Sequence, residues 1–422
     1  MNEELFQFIW QCRLYETRQP LLTTEGEEII VHRPGMLNRD AGPDFLNALL
    51  SIGPARWAGH VELHVRSSDW LRHGHQHDAR YANVILHVVF EDDAGARLQG
   101  FPTLVLGPRI DMSLLHRYRE LLLNQHPVAC APRLNTVPEL IVRQQLDRML
   151  AERVSEKGRH LSDLLMQTNH NWHEAFYVLL ARSFGAHVNR EAFEDLALRT
   201  PLWLILKYRE QTLRTEALLF GQSGLLQTAP PGEYADALRR EYAYLQKVHE
   251  LQPMPAHRWK FLRLRPANFP TLRLAQFAAL MRQEPQLLQR SIELRTMKDV
   301  RKCLSLPPSP YWTLHYSFGE SARGVPAKPG NSFIHGLLIN ALIPALFLYG
   351  KQHGRPDCSE KALDWLRELP AENNRLLRAW SGIGLHPEQA GDSQALLHLM
   401  QEYCDKKACL QCSIGHAVLK RG

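Results

Sequence analysis

Between Gly42 and Phe90 the chain gathers Asp44, His60, Glu62, His64, His73, His75, His77 and Asp78. That density of carboxylates and imidazoles suits metal-assisted hydrolysis. Side chains alternate along a strand, so a strand over residues 57–65 puts His60, Glu62 and His64 on one face. Asp44 enters the neighbouring strand of the same expected hairpin. Two carboxylates so placed can hold Mg²⁺ or Mn²⁺, which prefer oxygen, and such an ion lowers the pKa of a bound water for attack on a phosphodiester. The bland alternative is a turn at Pro43-Asp44, with Glu62 paired to an arginine such as Arg66.

Pro43-Asp44, a strand, a turn, and Val61-Glu62-Leu63-His64 followed by a helix and a strand resemble the PD-(D/E)XK nuclease superfamily over residues 44–89. The resemblance implies Asp44 and Glu62 as metal ligands, with Leu63 adding its carbonyl. It also implies His64 at the catalytic lysine position, giving a trio of Asp44, Glu62 and His64. A histidine with an ordinary pKa of about 6.5 is only partly charged at neutral pH, unlike lysine. The departure therefore keeps open a second reading: a nuclease-like fold that binds nucleic acid or acts as a scaffold without catalysis. Gln76 and Tyr81 resemble the Gln and Tyr that some members carry on the following helix. The whole chain resembles an uncharacterised bacterial domain-of-unknown-function family, which implies no activity.

The run His73-Gly74-His75-Gln76-His77-Asp78 follows Ser67-Ser68-Asp69, whose oxygens can cap a helix starting near Trp70. On such a helix His73 and His77 stand at i and i+4, a spacing that grips one transition metal or faces a substrate, and His75 points to solvent. The run resembles the His-x-His-x-Asp-His signature of metallo-β-lactamase-like hydrolases with its last two positions exchanged. A transition-metal hydrolase is thus a third reading.

The elements that must position these residues begin with an amphipathic helix over residues 5–15. Strands follow at 28–31, 45–52, 57–65, 84–90 and 103–106, with Gly53-Pro54 closing the hairpin. From Pro138 the texture is helical, with apolar spacings of three and four over 140–157, 172–184, 190–198, 202–220 and 234–251. The fold class is α+β: an N-terminal nuclease-like α/β domain with a mixed sheet (1–132), a basic helical domain (133–305), and a linker with a C-terminal helical piece (306–422).

Residues 253–302 hold eleven Lys and Arg against three Asp and Glu, a local charge of +8 that exceeds the +6 of all 422 residues. Within them Arg258, Trp259, Lys260, Arg263 and Arg265 interleave bases with apolar groups, a pattern that can bind phosphates and stack an exposed base on Trp259. A structural helix with paired arginines is the competing explanation. Arg265 to Pro270 reads as a rigid turn.

Cys404, Cys409 and Cys412, spaced C-x4-C-x2-C, precede His416. In a helix over 401–419, Cys409, Cys412 and His416 share a face. The set suits a structural Zn²⁺, or an iron–sulfur cluster with Cys358 as a further ligand. Buried cysteines acting as small hydrophobes are the alternative. Seven dispersed cysteines and an acidic N-terminus favour a cytoplasmic protein with reduced thiols. The apolar run at 333–349 contains His335, Asn340 and Pro344 and reads as a buried helix, so no membrane span is expected. No P-loop, dinucleotide fingerprint or nucleophile elbow occurs in a strand-to-helix setting.

Overall fold

Asn2 caps the first helix by accepting from the Leu5 N–H, and α1 (Glu3–Cys12) buries Leu5, Phe6, Phe8, Ile9 and Trp10. The structure, a computed structural model, describes residues 1–95, 101–319, 321–326 and 328–420. It divides into two units, one of residues 1–147, 382–384 and 399–422, the other of 148–381 and 385–398.

The first unit is built on a mixed sheet of seven strands: β1 (Leu21–Leu22), β2 (Glu28–Arg33), β3 (Met36–Leu37), β4 (Phe45–Ile52), β5 (Ala55–Arg66), β6 (Val84–Glu91) and β7 (Thr103–Val105), in the order β1-β2-β4-β5-β6-β7 with β3 also on β4. The expected hairpin is present, Ile52 lying opposite Ala55 across Gly53, whose φ of 55° a side chain would strain. Its register slips between Phe45 and Ala48, where Asn47 takes a φ of 57° and gives its N–H to His60 Nδ1 at 3.3 Å. β5, β6 and β7 run parallel. β6 is accordingly buried along Val84–Val89, as a strand covered on both faces must be.

The segment joining β5 to β6 departs from the expected helix. α2 (Asp69–Arg72) lasts one turn and stops at Gly74, whose φ of 71° is left-handed. A 3-10 turn (His75–His77) follows, and Asp78 accepts from the Arg80 N–H at 2.9 Å to start another turn. Ser67 and Ser68 do not cap α2, because their hydroxyls bond Asp92 and Asp93. His73 and His77 therefore never share a helical face. α3 (Met112–Leu123) completes the unit with the C-terminal segment: Arg117 donates twice to the Leu419 carbonyl, and Phe8 meets the His416 ring at 4.7 Å.

α4 (Glu139–Gln167) opens the helical part. In the second unit, the helices Trp172–Phe184, Arg190–Arg199 and Glu233–His249 lie close to their expected bounds. The expected helix over 202–220 is two, Leu202–Tyr208 and Thr212–Gln222. Tyr208 ends the first by accepting from both the Gln211 N–H and the Thr215 hydroxyl. The helix over 331–352 is long and apolar enough to cross a bilayer, and most of it is buried, with Ile334, Leu337, Leu342 and Leu346 in the core of this unit.

Candidate functional site

The register slip in the hairpin brings the start of β4 against the middle of β5. Asp44 and Glu62 there are tied across the strands: Glu62 Oε2 accepts from the Asp44 N–H at 2.9 Å, and Asp44 Oδ2 accepts from the neighbouring Leu63 N–H at 3.0 Å. Gln7 on α1 donates to Asp44 Oδ1 at 2.8 Å. Leu63 thus meets the pair through its N–H. Burial raises both carboxyls above the usual range, and the charge of Asp44 raises Glu62 further. Glu62 is the member that holds a proton at neutral pH.

The free oxygen of Glu62 faces imidazoles. Glu62 Oε1 lies 3.4 Å from His75 Nε2 and 3.7 Å from His64 Nε2. His64, His73 and His75 offer nitrogens that all lie within 4.8 Å of one another. His64 is buried and bonds His87 of β6 through Nδ1 and Nε2 at 2.9 Å. Burial first, then the neighbouring imidazoles, push His64 down to about 2 and His87 to about 4. Both rings are neutral lone-pair donors. If His64 Nδ1 carries the proton toward His87, its Nε2 lone pair is left for a metal, the arrangement in which a ligating histidine donates through its other nitrogen. His75 Nε2 is buried without a hydrogen-bond partner. Trp70 walls the cluster, its ring 5.4 Å from His75 and 5.3 Å from His87, and Tyr81 stacks on His75 at 3.9 Å. His73 is exposed, so the cluster opens to solvent there.

Of the expected residues, Asp44, Glu62, His64, His73 and Tyr81 come together. His60 is spent on Asn47, and Gln76 and His77 are exposed. His75, expected in solvent, belongs to the cluster because Gly74 turns the chain back. Sequence reasoning missed Gln7, Trp70 and His87; the one signal for His87 is its place as the lone polar residue in Val84–Phe90. The three imidazole nitrogens, with the Glu62 oxygen beside two of them, fit a transition cation better than Mg²⁺.

The C-terminal cysteines are not on one helix. Cys404 ends a π-helical turn (Leu399–Cys404), Cys409 starts a 3-10 turn (Cys409–Gln411), and the last helix is Ser413–Lys420. His416 Nε2 bonds the Leu410 carbonyl at 2.5 Å. Cys358 lies in the second unit, buried in the helix Pro356–Glu368. The fourth thiol near the three is Cys130, which burial and the nearby Cys412 and Cys409 push up to about 12, and which in turn raises Cys404.

The expected nucleic-acid strip is dispersed. Trp259 is 6 % exposed, its indole N–H donates to the Ser223 carbonyl at 2.8 Å, and its ring meets Phe193 edge-on. It cannot stack a base. Arg258 lies 3.6 Å from Asp195, the Lys260 N–H bonds Asn189, and Arg263 is exposed at a φ of 62°. Arg265 lines a cleft with Arg273 and Lys328.

No curated protein and no solved structure matches the chain. A family profile described as protein of unknown function (DUF2851) spans residues 3–375, and the chain belongs to that family.

Proposed function

We propose that the first unit is a divalent-metal-dependent phosphodiesterase of the nuclease class, acting on DNA or RNA in the cytoplasm. The observation that carries this reading is the free Glu62 oxygen facing His64 and His75, next to a second carboxylate held in place by Gln7 and the Leu63 N–H. Asp44, immediately before β4, and Glu62-Leu63-His64 on the paired β5 keep the order of the PD-(D/E)XK resemblance. Glu62, His64, His73 and His75 would hold a cation such as Mn²⁺ or Zn²⁺, with Asp44 beside them. A bound ion would supply a water of lowered pKa and neutralise a phosphate oxygen. Glu62 would bind such a cation as the carboxylate, neutral His64 would be a ligand where a lysine would supply charge, and Trp70 walls the cluster on its buried side. Cys130, Cys404, Cys409 and Cys412 would separately hold a structural Zn²⁺ or an iron–sulfur cluster.

The alternative, nucleic-acid binding without catalysis, is favoured by the missing charge at His64. One experiment separates them. Metal-stripped protein is titrated with Mn²⁺ and Zn²⁺ by calorimetry and assayed on single- and double-stranded DNA and on RNA, beside Glu62→Ala and Cys130→Ser. Glu62→Ala should lose affinity beyond the roughly 10–100-fold typical of outer-shell changes, and all cleavage. Cys130→Ser should lose only the tightly held zinc or iron seen by elemental analysis. Equal Mn²⁺ binding by wild type and Glu62→Ala would sink the metal centre, and inertness of the loaded wild type would leave the non-catalytic reading.

A further inference from the structure

We infer that the second unit carries a phosphate-binding site, in the cleft where Arg265, Arg273 and Lys328 meet the side chain of Gln276. The inference is independent of the metal centre proposed for the first unit. The cleft measures about 500 Å³, and no carboxylate occurs among the described residues that line it. Three cations with no acid on the same wall leave a strong positive field in a partly enclosed space.

Arg273 is the anchor. It is 7 % exposed, and its guanidinium lies over the Phe333 ring, 3.4 Å from the centroid. Its side-chain partners are neutral amides: Nη1 donates to Gln276 Oε1 at 2.8 Å and Nη2 to Asn268 Oδ1 at 2.7 Å. Buried charges are ordinarily paired with an opposite charge, because desolvation is costly. Here burial alone holds Arg273 down, to about 10.

Gln276 supplies the second observation. Since its Oε1 accepts from Arg273, the orientation of the amide is set and Nε2 is the remaining donor. That nitrogen is buried without a partner in a side chain only 2 % exposed. A leftover donor beside an uncompensated guanidinium calls for an acceptor that carries negative charge. Phosphate matches better than a single carboxylate, because its several oxygens can take the guanidinium fork, the Gln276 amide and the outer cations at once. The volume leaves room for a nucleoside-sized body attached to it.

The adjoining chamber shows what a finished site looks like. It shares Ser183, Ala186 and Asn340 with the cleft. Arg153 there is met by Glu156 at 3.2 Å, and both His160 and Arg182 by Glu194, while Lys157 donates to the Asn340 amide oxygen and Arg190 to the His187 carbonyl. Among the described residues that line the cleft, no such acid meets Arg265, Arg273 or Lys328.

The test titrates the full chain, in a chloride buffer, with inorganic phosphate, AMP, and an oligonucleotide bearing either a 5′-phosphate or a 5′-hydroxyl. Phosphate and AMP should bind the wild type. Arg265→Ala with Lys328→Ala, both exposed positions, should weaken them by about tenfold or more without moving the thermal midpoint in the absence of anion. Gln276→Leu should also weaken binding although no charge is removed, whereas Arg258→Ala, outside the cleft, should not. AMP outcompeting the 5′-phosphorylated oligonucleotide assigns the phosphate to a small molecule, and the reverse assigns it to a strand end. No heat with phosphate or AMP overturns the inference, as does unchanged affinity in the Arg265→Ala, Lys328→Ala pair.

Discussion

In the first unit lone pairs converge: nitrogens of His64, His73 and His75 lie together, the Glu62 oxygen faces His64 and His75, Asp44 adds a second carboxylate, and the Arg72 guanidinium reaches His73 at the exposed edge. In the second unit cations and N–H donors converge with no acid among them, at Arg265, Arg273, Lys328 and Gln276. The two sites carry opposite deficits and relieve them differently. Protons move in the first, where burial raises Glu62 and lowers His64 and His75. A guanidinium cannot shed its charge at neutral pH, so Arg273 leans on amide oxygens and a ring face instead. A titratable site tolerates an empty state; a guanidinium site needs a ligand or a neighbouring dipole.

The largest effect should come from separating the cleft from the rest of the basic segment. Trp259→Ala should cost ~3–5 kcal/mol of stability, since it empties a buried aromatic position against Phe193. Trp259→Phe should cost ~1–3 kcal/mol for the buried Ser223 carbonyl left without its donor. Denaturant titration reads both, and phosphate affinity per folded molecule should be unchanged. If Trp259→Ala left stability within ~0.5 kcal/mol and lost nucleic-acid binding instead, base stacking on Trp259 would return and the division of the segment would fall.

These residues also show what a sequence can and cannot disclose. The strand Phe45–Ile52, the helix Trp172–Phe184 and the α+β order follow from local periodicity, which a single segment carries within itself. The hairpin that holds Asp44 and Glu62 was legible for the same reason, but the register slip at Asn47 that brings the two together was not. His75 was not, because its direction depends on the left-handed turn at Gly74 and on Asp78 capping Arg80, which break a helix that the residue types permit. Cys130 and the Arg273–Lys328 cleft were out of reach: each joins segments dozens to hundreds of residues apart, and no spacing rule links them.

A middle-sized effect should appear in the pH dependence of the metal-stripped protein. Glu62 is raised by burial and then by Asp44, to about 8, so its contribution is complete below the usual carboxylate range and is lost as pH rises toward 8. His64 and His87 are depressed and act the other way, losing stability as pH falls below about 6.5. Lys157 in the second unit, which donates to Asn340 at 2.9 Å, is held down to about 7 by burial, so its penalty eases as pH rises above that. From pH 6.5 to 8, therefore, Glu62→Gln should gain thermal stability steadily over wild type, and Mn²⁺ or Zn²⁺ should remove that gain by stabilising the wild type alone. A constant offset across the window would show that the carboxyl does not titrate there, and the contrast between the two sites would lose its proton half.

The smallest effect is the sharpest test of the turn that gathers the cluster. His75 and His77 are two residues apart in a run that residue type alone cannot divide, yet one stacks on Tyr81 beside Glu62 and the other is exposed. His77→Ala removes a solvated ring and should change stability by no more than ~0.5 kcal/mol, with metal affinity unaltered. His75→Ala removes a ligand nitrogen and the ring packed on Tyr81, so it should lower Mn²⁺ or Zn²⁺ affinity measurably in the same titration. Equal effects from the two would mean that residues 73–78 form a continuous helix in solution, with His73 and His77 on its shared face. The cluster would then be assembled from the i and i+4 pair and not from the residues that flank Gly74.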